Sequence, residues 1–525
     1  MCGFLVTQSI TEKEKFKKSL ELISYRGPDQ SAMIETPSGK VFGFHRLAIM
    51  DLSENGSQPF ISKAQTTLVC NGEIYNHREL KTDYISRYDF VSDSDCEVIL
   101  PLFEEYGIEK LSKSLDGEFA FVLESDGKLM AARDAMGIRP MFYGHDKGMI
   151  CFASEAKSLI DFCEDVKPFP PGHFYDGKSI KPFFSYRDIS PQRDRALEEV
   201  YQGIHDHLVK GVEKRLDSDA PVGFLLSGGL DSSLVCAIAA KKSKVPIKTF
   251  AVGIDTNPID TKYARIVAEY IGSEHHEVIF SKEEALAHLS DLIFHLETWD
   301  ITTIRAAMGM SLVCKYIREK TDVKVVLTGE VSDEIFGYKY TDYAPGPREF
   351  QEEAQKRVEE LYLYDVLRAD RSISAHSLEA RVPFSDKDFV SFVMSIDPQK
   401  KMNWAGQGKY ILRKAFDHSD YLPDEILFRE KAAFSDAVGH DLVDWLKEYA
   451  QEQYSDEEFS KRCEEYSYAT PFTKESLLYR EIFEKHFKGK AELIKDYWMP
   501  NKEWENCDVL DPSARVLPNY GESGE

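Results

Sequence analysis

The stretch Ser227-Gly-Gly-Leu-Asp-Ser-Ser233 constrains this chain more than any other. It follows a short apolar run, Val222–Leu226, and opens a helical pattern that continues to about Lys242. A strand that passes into a helix through so tight a glycine turn belongs to an α/β layer, in which parallel strands are covered by helices on both faces. The neighbouring segments keep the alternation, with strands predicted at Ile247–Ile254, His276–Phe280 and Val323–Thr328 and helices at Lys262–Ile271 and up to Leu296. Beyond about Glu349 the pattern is mainly helical. The expectation is a doubly wound parallel sheet with a helical C-terminal part. A glycine turn at a helix N-terminus aims backbone N–H groups and the positive end of the helix at one point, which suits an anion. The chain has no Gly-x4-Gly-Lys-Ser/Thr pattern, so this is not the usual P-loop.

The first part of the chain has a different period. Short β-branched or aromatic runs at Val41–Ala48, Thr66–Cys70, Glu118–Glu124, Lys128–Ala132, Pro140–Gly144 and Met149–Ala153 alternate with turns, and helical patterns fall only at Glu12–Ile23 and Asp95–Tyr106. This predicts an α+β domain of packed sheets. Pro168, Pro170, Pro171 and Gly172, then the polar Ser190–Arg195, mark its edge, giving expected domains of 1–188 and 200–525.

The chain carries 65 Lys+Arg against 90 Asp+Glu, a net charge of −25. That balance argues against nucleic acid or an anionic membrane as partner, since both need basic patches. A small anion held by one loop is still compatible with it. The nine cysteines include no CxxC pair and no zinc spacing, as expected of a reducing, cytoplasmic setting. The apolar run Cys2–Val6 is too short for a signal peptide, and no segment approaches ~18 consecutive apolar residues.

Two clusters carry the chemistry. The acidic loop Gly329-Glu-Val-Ser-Asp-Glu334 follows a strand of the same sheet as Ser227–Ser233, so both loops should face one crevice. Asp231 and Asp333 could then share Mg²⁺ with phosphate oxygens. The other cluster starts at Met1-Cys2-Gly3, where loss of Met1 leaves a cysteine whose own α-amine, with a pKa of about 7.7–8.0, can act as its base. Alone the triplet says little. With it stand Tyr25-Arg-Gly-Pro-Asp29, His45-Arg-Leu47, Asn71-Gly-Glu-Ile-Tyr-Asn76, Ser94-Asp95, Leu115-Asp-Gly117, Arg133-Asp134 and Ala153-Ser-Glu155. In these motifs the chain resembles the class II glutamine amidotransferases. Together with the SGGLDSS loop, Thr302–Arg305, Leu378–Phe384, Lys409–Arg413, the Lys431 segment and Asp511–Arg515, nearly the whole chain resembles the glutamine-hydrolysing asparagine synthetase family.

The resemblance implies an N-terminal glutaminase of two packed antiparallel sheets flanked by helices, followed by an ATP-pyrophosphatase-like synthetase. It implies Cys2 as nucleophile and an oxyanion hole at Asn71 and Gly72. It places glutamine among Arg46, Leu47, Ala48, Ile49, Met50, Asn71, Gly72, Glu73 and Asp95. It implies ATP against Leu226, Ser227, Val252, Thr328 and Gly329, with pyrophosphate on Gly228, Gly229, Leu230, Asp231, Ser232 and Ser233. Mg²⁺ would lie on Asp231 and Asp333, Lys431 would neutralise phosphate charge, and Glu330 would take a proton from ammonia. Aspartate would meet Thr302, Thr303, Arg305, Glu379 and Arg381. The implied partners are glutamine, aspartate and ATP, with a homodimer as the assembly. Two departures adjoin Glu330 and Asp333: Val331 stands where the family has glycine, and Gly337-Tyr338 replaces a glycine pair. The leading alternative is amidation of a different carboxylate through an acyl-adenylate; a non-catalytic relative is disfavoured because Cys2, Asp231, Glu330 and Lys431 are all retained.

Overall fold

The structure is a computed structural model that describes all residues except 9–12, 85, 255–258, 404, 430–439 and 521–525. The N-terminal part holds two six-stranded antiparallel sheets. One runs 167–168, 142–146, 149–153, 3–7, 41–46, 30–35, and the other 180–182, 173–175, 128–133, 117–125, 67–74, 60–61. Period-two alternation sends Phe4, Val6, Phe42, Phe44, Ala120, Val122, Ile150 and Phe152 into the layer between them, all buried. The opposite face of the first sheet takes the helix Lys13–Glu21. Gly43 permits that approach, because a Cβ there would stand 2.6 Å from Leu20 and 2.9 Å from Phe16. The second sheet is covered by the helix Ile99–Ser114.

The C-terminal part centres on a five-stranded sheet ordered Glu274–Phe280, Lys248–Ile254, Val222–Leu225, Val325–Leu327, Glu379–Arg381, parallel throughout. Phe250, Val252, Ile254 and Val326 pack toward one layer of helices, and Ala251, Val325 and Leu327 toward the other. Such double burial explains why these strands read as continuous apolar runs. The alternation gave the first four strands. It missed the helix Ile301–Lys320, which fills the gap before Val325, and the three-residue edge strand Glu379–Arg381, whose polar ends hide it in a helical region.

The two parts share a core. One cluster runs from Met1, Leu5 and Phe16 through Phe142 to Phe250, Leu289 and Trp299. Beside it lies a buried ionic net in which Arg26 meets Glu155 (2.6 Å) and Asp370 (2.9 Å), while Arg371 meets Glu155 (2.6 Å) and Glu297 (2.9 Å). None of the nine cysteines is bridged. Among the described residues no helix is long and apolar enough to cross a membrane.

Candidate active sites

Cys2 stands half-buried just before the strand Gly3–Thr7, its N–H donating to Asn71 Oδ1 (3.0 Å) and its thiol 3.8 Å from the Leu47 carbonyl. Arg26 Nε donates to the Cys2 carbonyl at 2.9 Å, fixing the backbone that carries the sulfur. Burial pushes the thiol up to about 11. Met1 is fully buried between the domains, its amine 3.4 Å from the Leu378 carbonyl, and burial lowers that amine to about 6. Asn71 Nδ2 is buried and has no hydrogen-bond partner among the described residues, which costs roughly 1–3 kcal/mol unless something accepts from it.

Gly72 follows on the same strand, where a Cβ would lie 2.4 Å from the Glu118 carbonyl, so only glycine fits. Arg46 ends the strand Val41–Arg46 and donates to Gln30 Oε1 (2.9 Å), the Ser53 carbonyl (2.7 Å) and the Asp51 carbonyl. Leu47, Ala48, Ile49 and Met50 are buried next to it, and Ala48 N–H donates to Asp29 Oδ2 at 2.9 Å. Asp95 accepts from the Ile74 N–H at 2.7 Å, and burial raises its carboxyl. Glu73 is also raised by burial, against the pull of Arg381, whose guanidinium lies 3.1 Å away.

In the second part, one crevice is lined by Leu226, Ser227, Gly229, Leu230, Asp231, Ser232, Val252, Thr302, Arg305, Thr328, Gly329, Glu330, Val331 and Asp333. The two loops touch. A Cβ on Gly329 would stand 2.7 Å from the Ser232 nitrogen, and Gly228 takes φ +70° with its Cα against the backbone of Tyr263 and Ala264. The helix Leu230–Lys242 has no side-chain cap, so its first N–H groups stay directed at the loop. Ser233 Oγ and Thr328 Oγ1 are buried without a hydrogen-bond partner among the described residues. Asp231 and Asp333 converge on one cation: Lys409 Nζ lies 2.8 Å from Asp231 Oδ2 and 2.5 Å from Asp333 Oδ1, and 2.9 Å from Ser332 Oγ. Val331 adopts φ +82°, a left-handed conformation that is strained for a β-branched residue, and its side chain is buried.

Several expected residues sit elsewhere or are already engaged. Thr303 does not line the crevice; its Oγ1 (2.7 Å) and N–H (2.8 Å) donate to Asp300, the N-cap of its helix. Glu379 and Arg381 do not line the crevice; they are paired with each other at 3.0 Å on the edge strand, beside the N-terminal part. The reason is topological, since that strand is the sheet's outer edge and abuts the N-terminal part. Arg305 lines the crevice, but its guanidinium grips Glu475 (2.6 and 2.8 Å) and Asp511 (2.9 Å). Lys431 lies outside the described residues. Sequence reasoning gave no role to Lys409 or to Arg368, which pairs with Glu330 and with Asp365 (2.6 Å). Lys409 lay in a segment already singled out, whereas Arg368 stands in mid-helix with no local signal.

A glutamine amidotransferase domain model matches residues 1–200, and an asparagine synthase model matches residues 203–348 and 339–513. The glutamine-hydrolyzing asparagine synthetase of Gallus gallus is 43% identical over 542 aligned positions, covering 95% of this chain and 95% of its own. Those of Cricetulus griseus and Homo sapiens are 41% and 40% identical at the same coverage. Matches of this extent, over a fold with the three expected sheets, place the chain in the glutamine-hydrolysing asparagine synthetase family.

Proposed function

We propose a residue-level course for the reaction that membership of this family assigns to the chain, the synthesis of asparagine from aspartate with ammonia taken from glutamine. Once Met1 is removed, the Cys2 thiol passes its proton to its own α-amine and attacks the glutamine carboxamide. The carbonyl oxygen becomes an oxyanion between Asn71 Nδ2 and the Gly72 N–H, donors of a kind worth about 2.7–4 kcal/mol each. The amine returns the proton to the departing ammonia, and water cleaves the thioester to glutamate. Arg46 exchanges Gln30 for the glutamine carboxylate, while Glu73 and Asp95 take the α-ammonium.

In the crevice, the aspartate β-carboxylate attacks the α-phosphorus of ATP, giving β-aspartyl-AMP and pyrophosphate held by the Gly228–Ser233 backbone. Asp231 and Asp333 fit a magnesium ion and would hold it, being two hard carboxylates already converged on one cation. When bound, that ion neutralises triphosphate charge; Lys409 must then yield part of its place. Glu330 takes a proton from ammonia as it attacks the acyl-adenylate carbonyl and AMP departs with the acyl–oxygen bond broken, which requires Arg368 to loosen its hold. Lys431 is the further cation expected at the phosphates. The ammonia crosses unprotonated between the domains. A cytoplasmic homodimer completes the proposal, with light scattering on the eluted protein as its check.

The observation that carries this reading is the single crevice on which the 226–232 loop, the 328–333 loop and Arg368 converge. The test is Cys2→Ala. It should abolish glutamine-dependent asparagine formation and leave the ammonium-dependent reaction, with its pyrophosphate release, intact. Retained glutamine-dependent synthesis would remove Cys2 from the mechanism.

A further inference from the structure

Arg381 is one of the side chains through which the synthetase domain reaches the glutaminase. Arg381 is completely buried, and its guanidinium is fixed on three sides by its own domain. Nε donates to Glu379 Oε1 at 3.0 Å, and one terminal nitrogen donates to the carbonyls of Arg215 (3.0 Å) and Asp217 (2.6 Å). The other terminal nitrogen lies 3.1 Å from Oε2 of Glu73, across the domain boundary. Glu73 is itself 5% exposed. A buried carboxylate without a cation takes up a proton, and a protonated carboxyl cannot offset the charge of an ammonium. A carboxylate also has two oxygens, so Oε2 can serve the arginine while Oε1 serves a ligand.

We infer that Arg381 is a positioning residue for glutamine: from the neighbouring domain its guanidinium orients the Glu73 carboxylate to receive the substrate's α-ammonium and favours its charged form against the effect of burial. The inference rests on Glu73 being that ammonium's partner. It reassigns Arg381 from the aspartate pocket to the far side of the interface. It also means that the glutamine site is complete only when the two domains are docked.

The experiment uses the full-length enzyme and two amide donors, glutamine and glutaramate, the same molecule without its α-amino group. Arg381→Gln should raise the glutamine KM by about tenfold or more, the usual scale for truncating one partner of a buried charge pair. It should change kcat less than about threefold and leave the glutaramate KM within about threefold, because the lost contact serves only the ammonium. Arg381→Lys, which keeps the charge without the fork, should restore part of the loss and serves as the working variant if Arg381→Gln does not fold. Ammonium-dependent pyrophosphate release should keep its aspartate KM. An equal rise in both donors' KM would make the role merely structural, and a raised aspartate KM would return Arg381 to the aspartate pocket; either overturns the inference. So would an unchanged glutamine KM in Arg381→Gln when Glu73→Gln raises it. If Glu73→Gln itself leaves the glutamine KM unchanged, the reading of Glu73 fails first and the inference falls with it.

Discussion

Gly228→Ala puts one methyl group where the backbone of another element already lies. Gly228 has φ +70°, and an added Cβ would stand 2.5 Å from the Ala264 nitrogen and 2.6 Å from the Tyr263 carbonyl carbon. The left-handed conformation costs an alanine about 1–2 kcal/mol, and overpacking adds about 1–3 kcal/mol, so the C-terminal part should lose about 2–5 kcal/mol. Neither atom can rotate away, because both belong to the main chain of the helix Ile259–Ile271. Ordinary contact begins near 3.4 Å, so loop and helix must part by 3.4 − 2.5, about 0.9 Å. A shift of about 1 Å in a positioning loop costs on the order of a hundredfold in rate. The assay is pyrophosphate release with ATP, magnesium, aspartate and ammonium, run beside glutamate formation from glutamine as a control for the other domain. The paired variant is Gly229→Ala, whose φ of −76° suits alanine and whose Cβ would meet only Ser227 Oγ at 3.2 Å. Gly228→Ala should lose adenylation and keep glutaminase, while Gly229→Ala should keep its thermal stability within about 1 kcal/mol. Pyrophosphate release within about threefold of the parent in Gly228→Ala would refute the reasoning. So would equal loss of stability in the two variants.

Three further outcomes follow from buried charge. Arg26→Ala strands Asp370, which is 2% exposed, and should cost about 3–5 kcal/mol in urea unfolding, with a slower glutaminase because the Cys2 carbonyl loses its donor. Asp231→Asn should lower magnesium-dependent pyrophosphate release at least about a hundredfold and leave glutamate formation unchanged. For Glu379, burial opposes ionisation but Arg139 and Arg381 outweigh it and hold the carboxyl down to about 2, from 4.5 when unfolded. A depressed carboxylate stabilises the fold above its unfolded pKa and loses that contribution as pH falls through the folded one. Acid unfolding between about pH 4.5 and 2 should therefore be flatter in Glu379→Gln, as followed by tryptophan fluorescence.

The chain's local grammar carried most of the architecture. The strand Val222–Leu225, the glycine turn and the helix Leu230–Lys242 are contiguous, and their backbone conformations follow from neighbouring residues. Cys2, Arg46, Asn71 and Gly72 were legible only through the resemblance, since each stands in a short motif that the chain shares with the family. The N-terminal strands Gln30–Glu35 and His173–Tyr175 were not legible, because one is mostly half-exposed and the other only three residues long.

The sequence alone thus determined which loops the chain possesses and that a cysteine follows Met1, because a turn, a cap or a strand period is set by residues within a few positions of one another. Only the tertiary structure decided how their charges are paired. Lys409 joins Asp231 across 178 positions, Arg368 holds Glu330 from an adjoining helix, and Arg381 leaves the aspartate pocket for Glu73. Those pairings depend on which elements pack together, and at burial this deep an ion takes whatever partner the packing brings within about 3 Å, because the alternative is an uncompensated charge.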